Sequence, residues 1–327
     1  MNILLCTICR NIEGSFDKYI NNLKKAVSNV SYPLRYNFYE NNSNDNTKNI
    51  INNFDFSFFD SPTIFLEDLD NVCSSNGTSS SRVSRLAQAR NKCMRLNDNH
   101  LWADYIIFIE CDIDYNEDFI KNLIERGIEN KIDIFSGVAY TCNSETPYDT
   151  WAVRNTKYSP PFSTFISDDK KIRKFWSTFS CICMYNAIPF KNGLKFDHIN
   201  PRTKQSDCDT TVICEIFHAN GFNRVYVDER LTCRHFVEGL ITFSIEPSEY
   251  SDYIYSIIRT AVKTEDDVLI TTDRTIRTRE WLCRIENVFT PPNIIKDVSF
   301  KRSPQELFNH KTKTIHLSEA LGALSLE

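Results

Sequence analysis

The sequence predicts an α/β fold, a sheet whose strands alternate with helices, and three observations predict it. Strand-length apolar runs alternate with segments of helical period from the first residues onward. The early runs empty into polar, turn-forming clusters rather than into further apolar chain. The most continuous run, Tyr105-Ile106-Ile107-Phe108-Ile109, ends abruptly in three acids spaced two apart, Glu110, Asp112 and Asp114. Ligands of open α/β sheets bind at the carboxyl ends of the strands, and Arg10, Glu40 and the Asp112 cluster all fall there.

In chain order, residues 2–9 read as a buried first strand, 10–14 as a loop and 16–27 as an amphipathic helix. After Tyr32-Pro33, residues 34–39 read as a second strand that runs into the turn-rich cluster 40–47, with a helix at 48–54. A third short strand is expected near 56–59. The serine-rich stretch 73–82 lacks apolar periodicity and reads as a surface linker or as a flap over a ligand. It leads into a helix over 85–96 with Leu86, Ala89, Cys93 and Leu96 on one face, from which Arg90 and Asn91 either reach a phosphate or stay at the surface.

Beyond the acidic strand come a helix at 119–128, a strand at 132–140 and an irregular segment, 141–161, that carries Asp149, Trp151 and Arg154. Aromatic and polar side chains of this kind suit a sugar or nucleotide face, and Trp151 equally suits a core. Residues 176–185 are apolar enough for a central strand. The segment 206–220 is a helix headed by Asp207 and Asp209, where capping alone would explain the acids. Residues 223–228 form the last clear strand, and His235 follows in its exit loop, as a ligand or as an ordinary packed histidine. Residues 1–239 therefore form the sheet domain. Residues 240–327 read as a C-terminal helical extension, with helices at 250–262 and 280–288, that packs on the sheet or makes a dimer contact.

Period two puts Glu110, Asp112 and Asp114 on one side of a strand, where they repel one another unless a cation or cationic partner sits among them. The alternative is a set of solvated acids opening the next helix, since Asn116-Glu117-Asp118 are good first-turn residues.

Composition narrows the class. With 38 Lys+Arg against 43 Asp+Glu the chain is mildly acidic, and its basic residues are dispersed, which argues against a nucleic-acid binder. An aromatic share of 13% and only 8 Gly describe a packed protein. The 12 cysteines are scattered, several of them inside apolar runs, which fits a reducing compartment. Cys6-Thr7-Ile8-Cys9 has redox-motif spacing but lies inside a strand, and no pair of such elements has zinc-ribbon spacing. The opening run lacks a basic leader and no apolar stretch reaches membrane-spanning length, so the expectation is a soluble, intracellular protein.

The pieces resemble the nucleotide-sugar glycosyltransferases of the GT-A fold, a Rossmann-like mixed sheet flanked by helices. Cys6-Thr7-Ile8-Cys9-Arg10-Asn11 resembles their opening strand, the stretch 40–47 their E-N-x-S-x-D-x-T loop, and Asp112-Ile113-Asp114 their DxD motif. More narrowly, the stretches 108–118, 148–155, 179–181 and 206–228 are similar to the fungal capsule-associated α-mannosyltransferases. That family has a pattern closer to N-D, aligned over Glu110-Cys111, which leaves the register among Glu110, Asp112 and Asp114 open. The Asn/Ile/Lys-rich composition and the serine-rich insertion also resemble viral collagen glucosyltransferases.

The resemblance implies a retaining transfer with a UDP-sugar donor and Mn2+ or Mg2+ held by Asp114 and His235, Asp112 completing the metal shell or contacting ribose. It implies that Thr7, Arg10 and Glu40 hold the nucleoside, that Arg90 neutralises phosphate, and that Asp149, Trp151 and Arg154 line the sugar pocket. Asp207 or Asp209 would orient hydroxyls, or act as general base were the enzyme inverting. The expected reaction moves glucose from UDP-glucose to a glycosylated acceptor such as galactosyl-hydroxylysine of collagen. The alternatives are GDP-mannose-dependent α-mannosyl transfer to a polysaccharide or glycan, and a non-catalytic carbohydrate-binding protein. A nucleotidyltransferase is disfavoured because the Arg10 loop has only Gly14 and no Gly-rich phosphate loop.

Overall fold

The computed structural model describes residues 1–70, 79–142, 147–157, 159, 170–236, 269–272 and 313–316. The first half runs β1 (Ile3–Cys9), α1 (Phe16–Ser28), β2 (Leu34–Asn41), α2 (Thr47–Asn53), β3 (Pro62–Glu67) and α3 (Ser80–Arg95). A short α4 (Asn99–Trp102) precedes β4 (Tyr105–Ile109), β5 (Ile113–Tyr115), α5 (Phe119–Glu129) and β6 (Ile134–Tyr140). Then come β7 (Ile172–Lys174), β8 (Ile182–Asn186), α6 (Ile188–Lys191), α7 (Asp209–Ala219) and β9 (Val225–His235). The strands β10 (Leu269–Thr272) and β11 (Lys313–His316) pair antiparallel with each other. The helices expected at 250–262 and 280–288 lie outside the described residues.

Nine strands form one mixed sheet in the order β3-β2-β1-β4-β8-β6-β9-β5, with β7 also on β9. The block β3-β2-β1-β4 is parallel, β8 runs against both β4 and β6, and β9 is again parallel to β6. Two reversals restore the first direction, so the carboxyl ends of β1, β2, β4 and β9 lie along one edge. This is the helix-flanked mixed sheet that the GT-A resemblance implies.

The alternation of strand side chains accounts for a core on each face. From β1, Ile3 and Leu5 pack with Phe16, Tyr19 and Leu23 of α1, while Leu4 and Cys6 pack with Ala87, Cys93 and Met94 of α3 and Ile213 and Phe217 of α7. In β4 the same parity sends Ile107 and Ile109 to the α1 side and Ile106 and Phe108 to the α3 and α7 side. Nearly continuous burial is what a central parallel strand requires, and it explains why these runs contain few polar residues.

Several expectations shift. The third strand is Pro62–Glu67, not 56–59: Phe56 and Phe59 are buried in an aromatic cluster in which Phe59 stacks on Tyr36 at 4.4 Å. The helix expected from residue 85 begins at Ser80, because the Ser79 hydroxyl accepts the Arg82 N–H and caps it. Its buried residues are Val83, Ala87, Ala89, Arg90, Cys93 and Met94, so Ala89 and Cys93 lie inside as their spacing predicts, whereas Leu86 and Leu96 are only half-buried. The strand expected over 176–185 is only Ile182–Asn186, since Ser180 and Cys181 adopt left-handed backbone at φ 49° and 63°. The last strand runs on to His235, which belongs to β9 itself and not to an exit loop.

Candidate active site

Four segments converge where β4 ends. Arg90 lies on the buried side of α3, and its guanidinium Nε donates to Asp209 Oδ2 at 2.8 Å at the head of α7. A second nitrogen stands 3.7 Å from Glu110 Oε1, and the guanidinium lies over the Phe179 ring at 4.4 Å. Glu110 reaches this side because it has the same parity as Ile106 and Phe108. Burial opposes the charge of Arg90, but Asp209 and Glu110 hold its pKa above the usual arginine value. Glu110 is itself pushed up, by burial first and by Asp112 second, with Arg90 pulling the other way.

Asp112 and His235 meet beside it. His235 Nε2 and Asp112 Oδ2 are 2.9 Å apart, with His235 almost sealed and the Asp112 side chain 40% exposed. Burial pushes the imidazole pKa down, but the bond to Asp112 and the charges of Asp112 and Glu110 together outweigh it, so His235 lies above the ordinary histidine value. Tyr148 stacks on the imidazole with ring centroids 4.2 Å apart. Tyr148 heads the stretch 148–155 that carries the resemblance, which assigns it no role.

Asp149 follows, in left-handed backbone at φ 57°. Its carboxyl takes the Ser180 N–H, while Oδ2 is buried with no hydrogen-bond partner. Burial raises its pKa well above the usual carboxylate range; Glu110 and Asp209 add to this and Arg90 opposes it. Three non-glycine residues in left-handed backbone, Asp149, Ser180 and Cys181, thus meet at one place, as strained backbone does at functional sites.

The remaining expected residues lie elsewhere. Asp114 does not join Asp112: β4 stops at Ile109 and a new strand begins at Ile113, so the period of two is broken between them. Its oxygens go instead to Lys18 Nζ and Asn22 Nδ2 of α1, each at 3.0 Å. Thr7 is fully buried on the α1 face and shares a hydrogen bond of 2.5 Å with the Tyr19 hydroxyl. Arg154 is also buried. It binds Asp207 Oδ1 at 3.3 Å and the Trp151 carbonyl, while Asn200 Nδ2 donates to Asp207 Oδ2 at 3.2 Å. Trp151 packs half-buried on the core beneath. Asp207 and Arg154 therefore tie two loops together, and Asp209 belongs to Arg90.

At the β1 and β2 exits, two loops are laced to each other. Arg10 Nε donates to the Asn42 carbonyl at 3.0 Å, Asn11 N to Ser43 Oγ at 2.8 Å, and Ile12 N to Thr47 Oγ1 at 2.8 Å. Fully buried Glu40 accepts the Ser43 N–H through Oε1 at 2.7 Å, and its Oε2 has no partner. An orphaned buried carboxylate oxygen beside an exposed arginine is an arrangement that a polar ligand would complete.

The donor set at Asp112 and His235, one carboxylate oxygen and one imidazole nitrogen, suits a divalent cation such as Mn2+. Among the described residues no group of three or more His, Cys, Asp or Glu converges to cage an ion. With two side-chain donors, a cation held there would take its other positions from substrate oxygens and water, as cations that accompany phosphates do. Among the described residues no helix is long and apolar enough to cross a membrane.

Solved structures similar to this chain include S. aureus TarS residues 1–349 in complex with UDP-GlcNAc, at 14% identity and TM-score 0.49 over 99% of this chain and 80% of that one. Another is the mannosyltransferase PcManGT from Pyrobaculum calidifontis in complex with GDP-Man and Mn2+, at 10% identity and TM-score 0.48 over 99% and 74%. No curated protein matches the chain. The family model described as cryptococcal mannosyltransferase 1 matches residues 4–218 of 327, and the chain belongs to that family of glycosyltransferases.

Proposed function

We propose that the chain is a metal-dependent, retaining hexosyltransferase that uses a nucleoside-diphosphate sugar, with mannose from GDP-mannose as the transferred group and a glycan hydroxyl as acceptor. The observation that carries this reading is the Asp112–His235 pair, 2.9 Å apart at the carboxyl edge of the sheet. The family supports the mannosyl donor. Asp112 and His235 would hold Mn2+ or Mg2+, which supplies charge stabilisation to the departing diphosphate. Glu40 and Arg10 would take the base and ribose at the β1 and β2 exits. Arg90, committed to Asp209 and Glu110, would set their carboxylates in place rather than bind phosphate directly.

Retention by front-face attack, assisted by the departing phosphate, needs no positioned nucleophile. It is consistent with both Asp207 and Asp209 being buried on arginines, where neither is open to deprotonate an acceptor. Glucose transfer from UDP-glucose to galactosyl-hydroxylysine of collagen is the second reading, carried by composition.

The test is nucleotide release with Mn2+ from GDP-mannose, UDP-glucose and UDP-galactose, offering mannosides and galactosyl-hydroxylysine peptide as acceptors. Acceptor-stimulated GDP release that disappears with EDTA and in Asp112→Asn is the expected result. UDP release on the collagen peptide replaces mannose with glucose. Nucleotide binding with no release from any donor means a carbohydrate-binding protein without turnover.

A further inference from the structure

Asp114 has the spacing of a second metal acid, yet the structure commits it to α1. Lys18 and Asn22 are one turn apart on that helix, hence on one face, and they take one Asp114 oxygen each at 3.0 Å. Asn29, further along the same face, donates to the Glu117 carbonyl and Asp118 Oδ1 at 3.4 Å. Lys18 Nζ also lies 3.9 Å from the centroid of the Phe236 ring. Lys18 thus touches the residue two after Asp112 and the residue just after His235.

The ladder shows why that matters. Ile113 is opposite His235 and Asp114 opposite Arg234 in the β5–β9 pair, and the Phe236 N–H donates to the Asp112 carbonyl at 2.7 Å. With only three residues, β5 has few ladder bonds of its own to fix its position against β9. Any slip between the two strands moves Asp112 relative to His235.

We propose that Lys18 and Asp114 are a positioning pair that holds Asp112 against His235, and that Asp114 is not itself a ligand of the cation. The inference rests on the reading of Asp112 and His235 as the cation site. It explains why an acid stands at this spacing while its side chain points to α1. Partners that orient metal ligands from outside the first sphere typically contribute about ten- to a hundredfold in metal affinity. Because the Lys18 and Asp114 side chains are half exposed, at 53% and 49%, the lower end of that range applies.

The experiment titrates the full chain with Mn2+ alone, read by electron paramagnetic resonance, and records the ring nitrogen shifts of 15N-labelled His235, assigned by their loss in His235→Gln. Asp112→Asn should abolish Mn2+ binding. Lys18→Met and Asp114→Asn should each weaken it by roughly tenfold, at the lower end of the range for such partners. The double variant should be no worse than either single one, and Lys18→Arg should restore the wild-type value. Asp114→Asn abolishing Mn2+ binding while Lys18→Met leaves it intact would make Asp114 a ligand and overturn the inference. So would Mn2+ affinity and His235 shifts that neither substitution changes. If the wild-type chain binds no Mn2+, the cation reading fails on its own and the ring shifts decide: equal shifts in both variants, restored in Lys18→Arg, keep the positioning pair, and unaltered shifts remove it.

Discussion

Arg90 Nε and Asp209 Oδ2 stand 2.8 Å apart although 119 residues separate them in the chain, and together they join α3 to the head of α7 beneath the acidic edge. One guanidinium there serves Asp209 and Glu110 directly and acts on Asp149 through space. Removing it leaves buried carboxylates without a counter-charge. Arg90→Met should cost about 3–5 kcal/mol in urea unfolding, and Arg90→Lys should recover only part, because a point charge cannot span two carboxylates. Unfolding of Arg90→Met at the wild-type urea concentration would show that the pair carries no weight.

Asp149 should make the protein less stable as pH rises. Its carboxyl is held above the usual range by burial, then by Glu110 and Asp209 against the pull of Arg90, whereas an unfolded aspartate loses its proton near pH ~3.9. Between those values the folded chain binds more protons than the unfolded one, so stability falls as pH climbs through the interval. Asp149→Asn removes that titration. Thermal melts in metal-free buffer should show its advantage over wild type growing from pH 4 to pH 8, reaching about 2 °C or more, roughly 1 kcal/mol for a chain of this size. A variant that melts below wild type at pH 7.5 contradicts the assignment.

Asp228 should behave in the opposite sense. It is fully buried on β9 and takes Arg126 at 2.7 Å and Arg230 at 2.8 and 2.9 Å. Burial pushes its carboxyl up, but the bonds from Arg230 and Arg126 outweigh it and leave the pKa low. Its contribution is therefore present above the unfolded value and is lost as pH falls through the folded one. Asp228→Asn should cost about 3 kcal/mol at pH 7. That deficit should shrink as pH drops below ~3.9, toward the depressed folded value. A deficit that stays constant from pH 7 to pH 2 would mean that the loss comes from packing and not from the charge.

Gly137 marks the place where β6 slips register against β9, between Ser136 and Val138. A Cβ added there would sit 2.1 Å from the Leu231 carbonyl oxygen, a backbone atom held by the sheet. Gly137→Ala should lose about 3 kcal/mol or fail to fold. Gly14→Ala, where nothing lies within 4 Å, is the control and should melt with wild type. Equal melting of the two variants would mean that β9 can move aside.

Much of the fold was legible because the signals are local. The apolar runs of β1, β2 and β4, and the polar clusters after them, encode strand and exit within a few residues. Sequence points to a third strand at 56–59 and not at Pro62–Glu67 because Phe54, Phe56, Phe58 and Phe59 resemble strand residues by composition while serving as a ring cluster, with Phe54 and Phe56 4.8 Å apart. Residue type singles out Arg90, but nothing local in the sequence signals that it is buried. Val83, Ala87, Arg90 and Met94 share one face by helical period, and the earlier start of the helix adds Val83 to it, while only the packing of that face under the sheet buries the guanidinium.

The sequence alone determined the α/β class, and it singled out the acidic exit of β4 and His235 as candidates for the site, since each follows from periodicity or from residue type over a short span. The tertiary structure decided which acid meets which partner. Asp112 finds His235 123 residues away, while Asp114, two residues on, finds Lys18 and Asn22. Side-chain parity holds only while one strand lasts, and the break between Ile109 and Ile113 is set by pairing with β9, a contact between distant segments that no local pattern carries.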